Sequence, residues 1–501
     1  MSDGPRRRAW RGRRGRAALV AGAAVLGLFA WTSLPDSFTS GDRDGATARR
    51  VPEAASSTTS TEPPTTTSAT SASTTTAAPT TTSAAPPPMA AVVKRPASTT
   101  TTLPLDPRER LEVMVAQTLN GSNACLIVDE EGSEVLSRGG DDPLAPASTQ
   151  KLLIAAAALA RLGPGFRFET TVVSKGPPVD GTVERLWLVG DGDPLLATPE
   201  LSADFGDEPR WLGTPFTPLA ALADQLVAAG VRRVAAGLSG DDSRYQTPRS
   251  LPHWKPEHVA SGTGGPLGAL VVDRGLESWT PRRQVAKDPA AHASSQLARL
   301  LVGRQVEVSG QANQLAPEDA VVLARLTSAP LSEIVAAMLR TSDNLTAELL
   351  VLELDRQSGG GGDTAGGLAV VARDAAGMGV PVGGLRMLDG SGLAAANRST
   401  CRALLATLAL SSRSDLEAID EGLAVAGRSG TMIKRLVGTP FEGHLAGKTG
   451  WISGAIGFVG RLDVGRPLRF AFLANGSFDF GTARRLEDRV LAELATYSTR
   501  P

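Results

Sequence analysis

The segment from Gly41 to Thr102 decides where this chain can fold. It is dominated by Thr, Ser, Ala and Pro, with Pro63-Pro64-Thr65-Thr66-Thr67-Ser68 and Pro86-Pro87-Pro88 as examples. Such a stretch has almost nothing to bury and cannot offset the entropy of ordering it, so no core forms there. A disordered tether is expected over residues 35–104; the roughly 60 residues from Gly41 to Thr102 would average about 45 Å as a flexible coil and reach about 190 Å if drawn out as a polyproline helix. All packing must come from the part that begins near Pro107. The chain has 501 residues, and at roughly 100–200 residues per domain the remainder has room for more than one.

Two features precede the tether. Residues 1–16 hold seven arginines against one acid, Asp3, and read as a basic cytoplasmic tail. An uncharged run follows, from Ala17 to Trp31, ending near Pro35. Residues 17–34 read as a signal peptide or a signal anchor. The nearest small-x-small site, Ala46-Thr47-Ala48, lies beyond Asp42, Arg43 and Asp44, which favours an uncleaved anchor in the membrane. With the arginines held inside, everything after residue 34 lies outside the cytoplasm, in the cell envelope. Set apart from that tail, 44 basic residues face 51 acidic ones. A mildly acidic body offers no basic surface to phosphates, so nucleic acid is excluded as a partner.

In the folded part, Arg108 to Leu119 reads as a helix, and Ala124 to Asp129 with Glu134 to Ser137 as a hairpin turning at Glu131-Gly132-Ser133. Near the other end, Ile456 to Leu462 and Leu468 to Ala474 form a second hairpin, followed by a helix from Thr482 to Tyr497. This outline predicts an α+β fold, one antiparallel sheet built from both ends of the chain with flanking helices. The middle holds further helices and an inserted, mainly β or mixed region. The expected division is a first catalytic part at 105–175, the insertion at 176–325 and a second catalytic part at 326–501.

Three short constellations carry chemistry. Ser148 stands in Pro146-Ala147-Ser148-Thr149-Gln150-Lys151 at the head of an apolar helical run that ends at Arg161, Gly163 and Pro164. One helical turn separates Ser148 from Lys151, within reach of an amine for a hydroxyl, and a crowded, buried lysine gives up its proton readily. Such a lysine can activate a serine without histidine. Ser342-Asp343-Asn344 falls between two helical runs and offers a hydroxyl for proton relay and an amide for a substrate carbonyl, although the same residues are ordinary turn and capping types. Gly447-Lys448-Thr449-Gly450 enters a late strand, where a lysine and a hydroxyl can bind a carboxylate beside a backbone N–H facing an oxyanion.

Other chemistries fit poorly. Aromatic residues make up 4% of the chain, too few for a base-stacking surface. Two cysteines cannot make a four-thiolate metal site, and none of the four histidines stands in H-E-x-x-H. Residues 443–449 nearly spell a phosphate-binding loop but have three residues between the glycines where four are needed. No serine sits in G-x-S-x-G.

The order S-x-x-K on a helix start, S-x-N between helices and K-T-G on a late strand resembles the serine β-lactamase and penicillin-binding superfamily. Within it, the chain is similar to the low-molecular-mass D-alanyl-D-alanine carboxypeptidases and endopeptidases with a long insertion between the first two motifs. Gly190-Asp191-Gly192-Asp193-Pro194, Asp389-Gly390-Ser391-Gly392-Leu393 with Asn397-Arg398, and Leu339 to Leu350 add to the likeness. Trp451 departs from it, since threonine commonly follows K-T-G there. The resemblance implies that Ser148 attacks the bond between two D-alanines of a peptidoglycan stem peptide with Lys151 as base. Ser342 would then protonate the leaving amine, while Asn344, Lys448, Thr449, Gly450 and Trp451 bind the substrate, the last also through its backbone N–H. β-Lactams would acylate Ser148, and neither metal nor organic cofactor is implied. A β-lactamase and a silent wall-binding protein are the alternatives. An E-x-x-L-N segment is missing between the first two motifs, which disfavours the former, and the intact motifs disfavour the latter. Asp389, Ser391 and Asn397 are expected to be structural, whereas Asp191 and Asp193 fit a contact to the stem peptide from the inserted region and an Asp-Gly-Asp-Pro turn about equally. His253 and His258 are read as surface residues. Cys125 and Cys401 are read as two separate apolar side chains rather than a disulfide.

Overall fold

The computed structural model describes residues 105–310 and 313–499. The tail, anchor and tether expected at 1–16, 17–34 and 35–104 lie outside them. Among the described residues no helix is long and apolar enough to cross a membrane.

The first helix, Pro107–Thr118, begins at Asp106, whose side chain accepts from the N–H groups of Arg108 and Glu109 while Glu109 reaches back, a full capping box. It leads into a six-stranded antiparallel sheet. In spatial order the strands are Ala424–Val425, Leu445–Ile452, Ala455–Leu462, Leu468–Asn475, Asn123–Glu130 and Ser133–Arg138. Both chain ends thus meet in one sheet, with Asn123 opposite Asn475 and Glu130 opposite Leu468.

Alternation in these strands is between two cores rather than between core and water. Cys125, Ile127, Val459, Ala471 and Leu473 face one apolar cluster, filled by helices Lys151–Leu162, Leu331–Thr341, Asn344–Gln357, Thr364–Gly377 and Cys401–Ala409. Leu126, Val128, Phe458, Phe470 and Phe472 face the other, covered by Pro107–Thr118 and Phe480–Thr499. With period-two side chains and both faces apolar, the strands are locked in register, because a one-residue slip would exchange the two sets.

The intervening region carries its own sheet, ordered Val321–Thr327, Glu169–Ser174, Leu186–Val189 and Leu238–Asp241, with helices Ala220–Ala228 and Pro289–Val302 sharing its apolar cluster. Glu169–Ser174 and Val321–Thr327 pair with each other, so the two ends of this region lie side by side. A second cluster binds it to the rest: Tyr245, Trp254 and Leu267 pack with Leu345, Leu349 and Leu352 of the Asn344–Gln357 helix.

Cys125 and Cys401 form a disulfide, with Cα atoms 6.1 Å apart across 276 residues of sequence. This corrects the reading of two separate apolar residues. The strand and the helix start that bear them share one core, a proximity that no local sequence pattern reports.

Candidate active site

Ser148 lies in a short 3-10 turn, Ala147–Gln150, that feeds directly into the Lys151–Leu162 helix. Within this turn only Ser148 is partly open to solvent; Ala147, Thr149, Gln150 and Lys151 are buried. Ala147 takes φ +47°, a left-handed backbone that a non-glycine residue adopts at a cost. Its carbonyl is pressed against Gly392, where a Cβ would stand 1.9 Å from Ala147 O. Gly450 does the same from the sheet side, its missing Cβ falling 2.9 Å from the Ser148 nitrogen. Two glycines in different motifs therefore let the chain close around the serine turn.

Lys151 is fully buried. Its Nζ stands 3.0 Å from Ser148 Oγ, 2.7 Å from Asn344 Oδ1 and 2.6 Å from Ser391 O. Burial lowers its pKa to about 8, against the opposing pull of Glu348, Asp389 and Asp343 and with a smaller push from Arg210. Roughly one amine in ten is therefore neutral at pH 7, which suits it as a base toward the hydroxyl.

Ser342 ends the Leu331–Thr341 helix in the left-handed conformation, φ +59°, ψ +42°. Asp343 then caps the next helix through Leu345 N, at 3.2 Å, and accepts from Thr346 Oγ1 at 2.7 Å. The same carboxylate is gripped by both terminal nitrogens of Arg274, each at 2.7 Å. Burial opposes its ionisation, but Arg274 and these hydrogen bonds hold it below the usual carboxylate range. Asn344 has both ends of its amide engaged, Oδ1 by Lys151 and Nδ2 with Thr263 O at 2.9 Å. A second N–H of that amide is left for a substrate carbonyl.

Lys448 lies on the Leu445–Ile452 strand, which has a full neighbour on one side and only Ala424–Val425, opposite Ala446 and Gly447, on the other. Beyond Gly447 that edge pairs with no strand among the described residues. Lys448 Nζ is 2.9 Å from Ser342 Oγ and 2.7 Å from Thr449 O. Burial first, then the Lys151 and Arg210 cations, push its pKa well below the ordinary lysine value. Thr449 Oγ1 is 2.8 Å from Thr431 Oγ1. Trp451 turns its ring onto Phe480, edge to face at 5.1 Å, and over Phe478 at 6.2 Å.

All three constellations come together in two hydrogen-bonded groups, Ser148–Lys151–Asn344 and Ser342–Lys448, close enough that the Lys151 charge acts on Lys448. Sequence reasoning missed Glu348, Arg274, Arg210 and Thr263. Glu348 had a signal, a single acid in the apolar run Leu345 to Leu352 on a buried helix. It accepts from Gly390 N at 2.9 Å and Ser391 N at 2.7 Å, fixing the backbone that leads into the Ser391 carbonyl, the acceptor for Lys151. The other three reach the site across the fold, and nothing local marks them.

Asp389 is buried and accepts from Gly392 N, Ala394 N, Asn397 Nδ2 and Trp254 Nε1. Asp193 closes its own turn on Leu195 N at 2.9 Å, and burial raises its pKa to about 6. Asp191 accepts from Glu169 N and pairs with Arg244. His253 is exposed and His258 half-buried. Among the described residues no three His, Cys, Asp or Glu side chains gather to hold a metal.

Residues 108–284 and 277–496 match the D-Ala-D-Ala carboxypeptidase 3 (S13) family. A carboxypeptidase of Mycobacterium tuberculosis is 32% identical over 376 residues, covering 73% of this chain and 78% of that one. A D-alanyl-D-alanine carboxypeptidase of Actinomadura is 27% identical over 457 residues, covering 75% and 81%. The crystal structure of penicillin-binding protein 4 from Haemophilus influenzae superposes with a TM-score of 0.65 at 20% identity, over 78% of this chain and 99% of that one. The last likeness carries the fold alone.

Proposed function

The chain belongs to the D-Ala-D-Ala carboxypeptidase 3 (S13) family, and from that premise we propose that it trims peptidoglycan stem peptides through an acyl-enzyme on Ser148. It is a serine-type D-alanyl-D-alanine carboxypeptidase of the penicillin-binding class, working outside the cytoplasm. The observation that supports the residue roles is the pair of amine–hydroxyl contacts, Lys151 with Ser148 and Lys448 with Ser342.

In this reading neutral Lys151 takes the proton of Ser148 as Oγ attacks the carbonyl carbon of the penultimate D-alanine. The backbone N–H groups of Ser148 and Trp451 face the oxyanion, an arrangement worth several kcal/mol, about 3–4 where a single donor has been removed from such a site. The proton passes to the departing amine through Ser342, the C–N bond breaks, and Asn344 holds the peptide carbonyl. Lys448 and Thr449 bind the carboxylate of the leaving D-alanine. Water then attacks the ester, Lys151 again acting as base, and Ser148 is released. A β-lactam enters the same path, its ring amide standing for the scissile bond. Residues 17–34 anchor the enzyme in the membrane and 35–104 let it reach the wall; the region between the first two motifs is an inserted domain.

Mass spectrometry of muropeptides incubated with the protein is the test. Loss of a single terminal D-alanine is expected with wild type and not with Ser148→Ala. That variant is also expected to fold normally and to take no covalent penicillin, because a hydroxyl at the turn contributes little packing. Adduct formation by Ser148→Ala at the wild-type level removes Ser148 from the role.

A further inference from the structure

We propose that Arg210, carried by the inserted region, is a specificity-determining residue that binds the carboxylate of the leaving residue together with Lys448 and Thr449. The proposal rests on the assignment of that carboxylate to Lys448 and Thr449, and deepens it.

The argument begins with donors. A carboxylate offers about four acceptor sites, and a desolvated one needs most of them met. Lys448 has three N–H groups, of which Ser342 Oγ and Thr449 O take two. Thr449 has one hydroxyl, already shared with Thr431. Trp451 next along the strand brings no hydroxyl, and its ring is packed on Phe480 and Phe478. Lys448 is also fully buried beside Lys151, so its positive charge is weakened where it is wanted.

Arg210 supplies what is missing. Its Nε, at 2.9 Å, and its Nη2 both donate to Thr341 O, the carbonyl leading into Ser342. Among the described residues it makes no other hydrogen bond, so three of its five N–H donors remain. The side chain is exposed, and its charge acts on both Lys151 and Lys448. The nearest buried acid, Asp343, is neutralised by Arg274, which leaves the cations around Ser342 in excess. A guanidinium keeps its charge at every working pH and matches a carboxylate with two parallel N–H groups.

Two thioesters of the same acyl-D-alanine test this, one leaving as thioglycolate with its carboxylate and one as neutral ethanethiol. Arg210→Gln is expected to lower kcat/KM about 10-fold or more on the thioglycolate ester, mainly through KM, and to change the ethanethiol ester less than about 2-fold. Arg210→Lys is expected to recover part of the loss. Equal losses on both esters, or no loss on either, overturn the proposal, the first because Arg210 then acts only by holding Thr341. Lys448→Ala run on the same pair separates the two levels. If it is selective while Arg210→Gln is not, the Arg210 role falls alone. If Lys448→Ala slows both esters equally, the underlying carboxylate assignment falls.

Discussion

Glu348 stands one turn after Asn344 on the same helix, buried, with its two oxygens on consecutive backbone N–H groups. Burial and then Asp389 raise its pKa to about 8, where Lys151 also titrates. The anions facing Lys151 are Glu348, Asp389 and Asp343, and the cations are Arg210 and Lys448. Each anion favours the charged amine, so removing one lowers the lysine pKa further. Acylation by wild type is expected to rise with pH as Lys151 loses its proton and to level off above about 8. In Glu348→Gln the same limb is expected at lower pH, with a loss of about 1–3 kcal/mol in unfolding free energy because one backbone N–H loses its acceptor. Second-order penicillin acylation against pH, with urea denaturation alongside, measures both. An unmoved limb would show that Glu348 only holds the 390–391 peptide in place.

Among the elements, the region between the Ser148 and Ser342 motifs contributes directly to the Ser342 loop. Arg274 holds Asp343, which lies between Ser342 and Asn344, and stacks at 4.5 Å on Trp211 of the same region. Arg274→Met leaves a buried carboxylate unpaired, at a cost of about 3–5 kcal/mol. The pair Arg274→Met with Asp343→Asn is expected to cost less than the two changes added, in a cycle read by chemical denaturation, with acylation falling most in the Arg274 single variant. This dependence was not legible in the sequence. The terminal hairpins were, because strands with apolar residues on both faces between turn signals have few other readings. The Ser148 and Lys151 pairing was legible too, since three residues on a helix start fix a distance. By contrast, Arg274, Thr263 and Trp254 reach the motifs over long sequence separations, and the left-handed backbone at Ser342 is imposed by its helix end rather than by residue type.

At the scale of the molecule, the Cys125–Cys401 bond ties the central sheet to a helix of the main core. It closes a loop of 276 residues, for which chain entropy gives a stabilisation of about 5 kcal/mol, an upper value. Cys125→Ala with Cys401→Ala is expected to lower the unfolding midpoint while leaving the acylation rate near wild type, since neither cysteine takes part in the hydrogen bonds of Lys151 or Lys448. An unchanged midpoint would place the constraint in a region already rigid. The bond matters in another way when the chain is broken. Ser148, the whole insertion and the Ser342 loop lie inside the ring it closes, and Lys448 hangs from its far end. A protease that clips an exposed loop within the ring produces two polypeptides that stay one covalent body, separable only after reduction. A single cut inside the ring therefore leaves the two pieces tethered to each other.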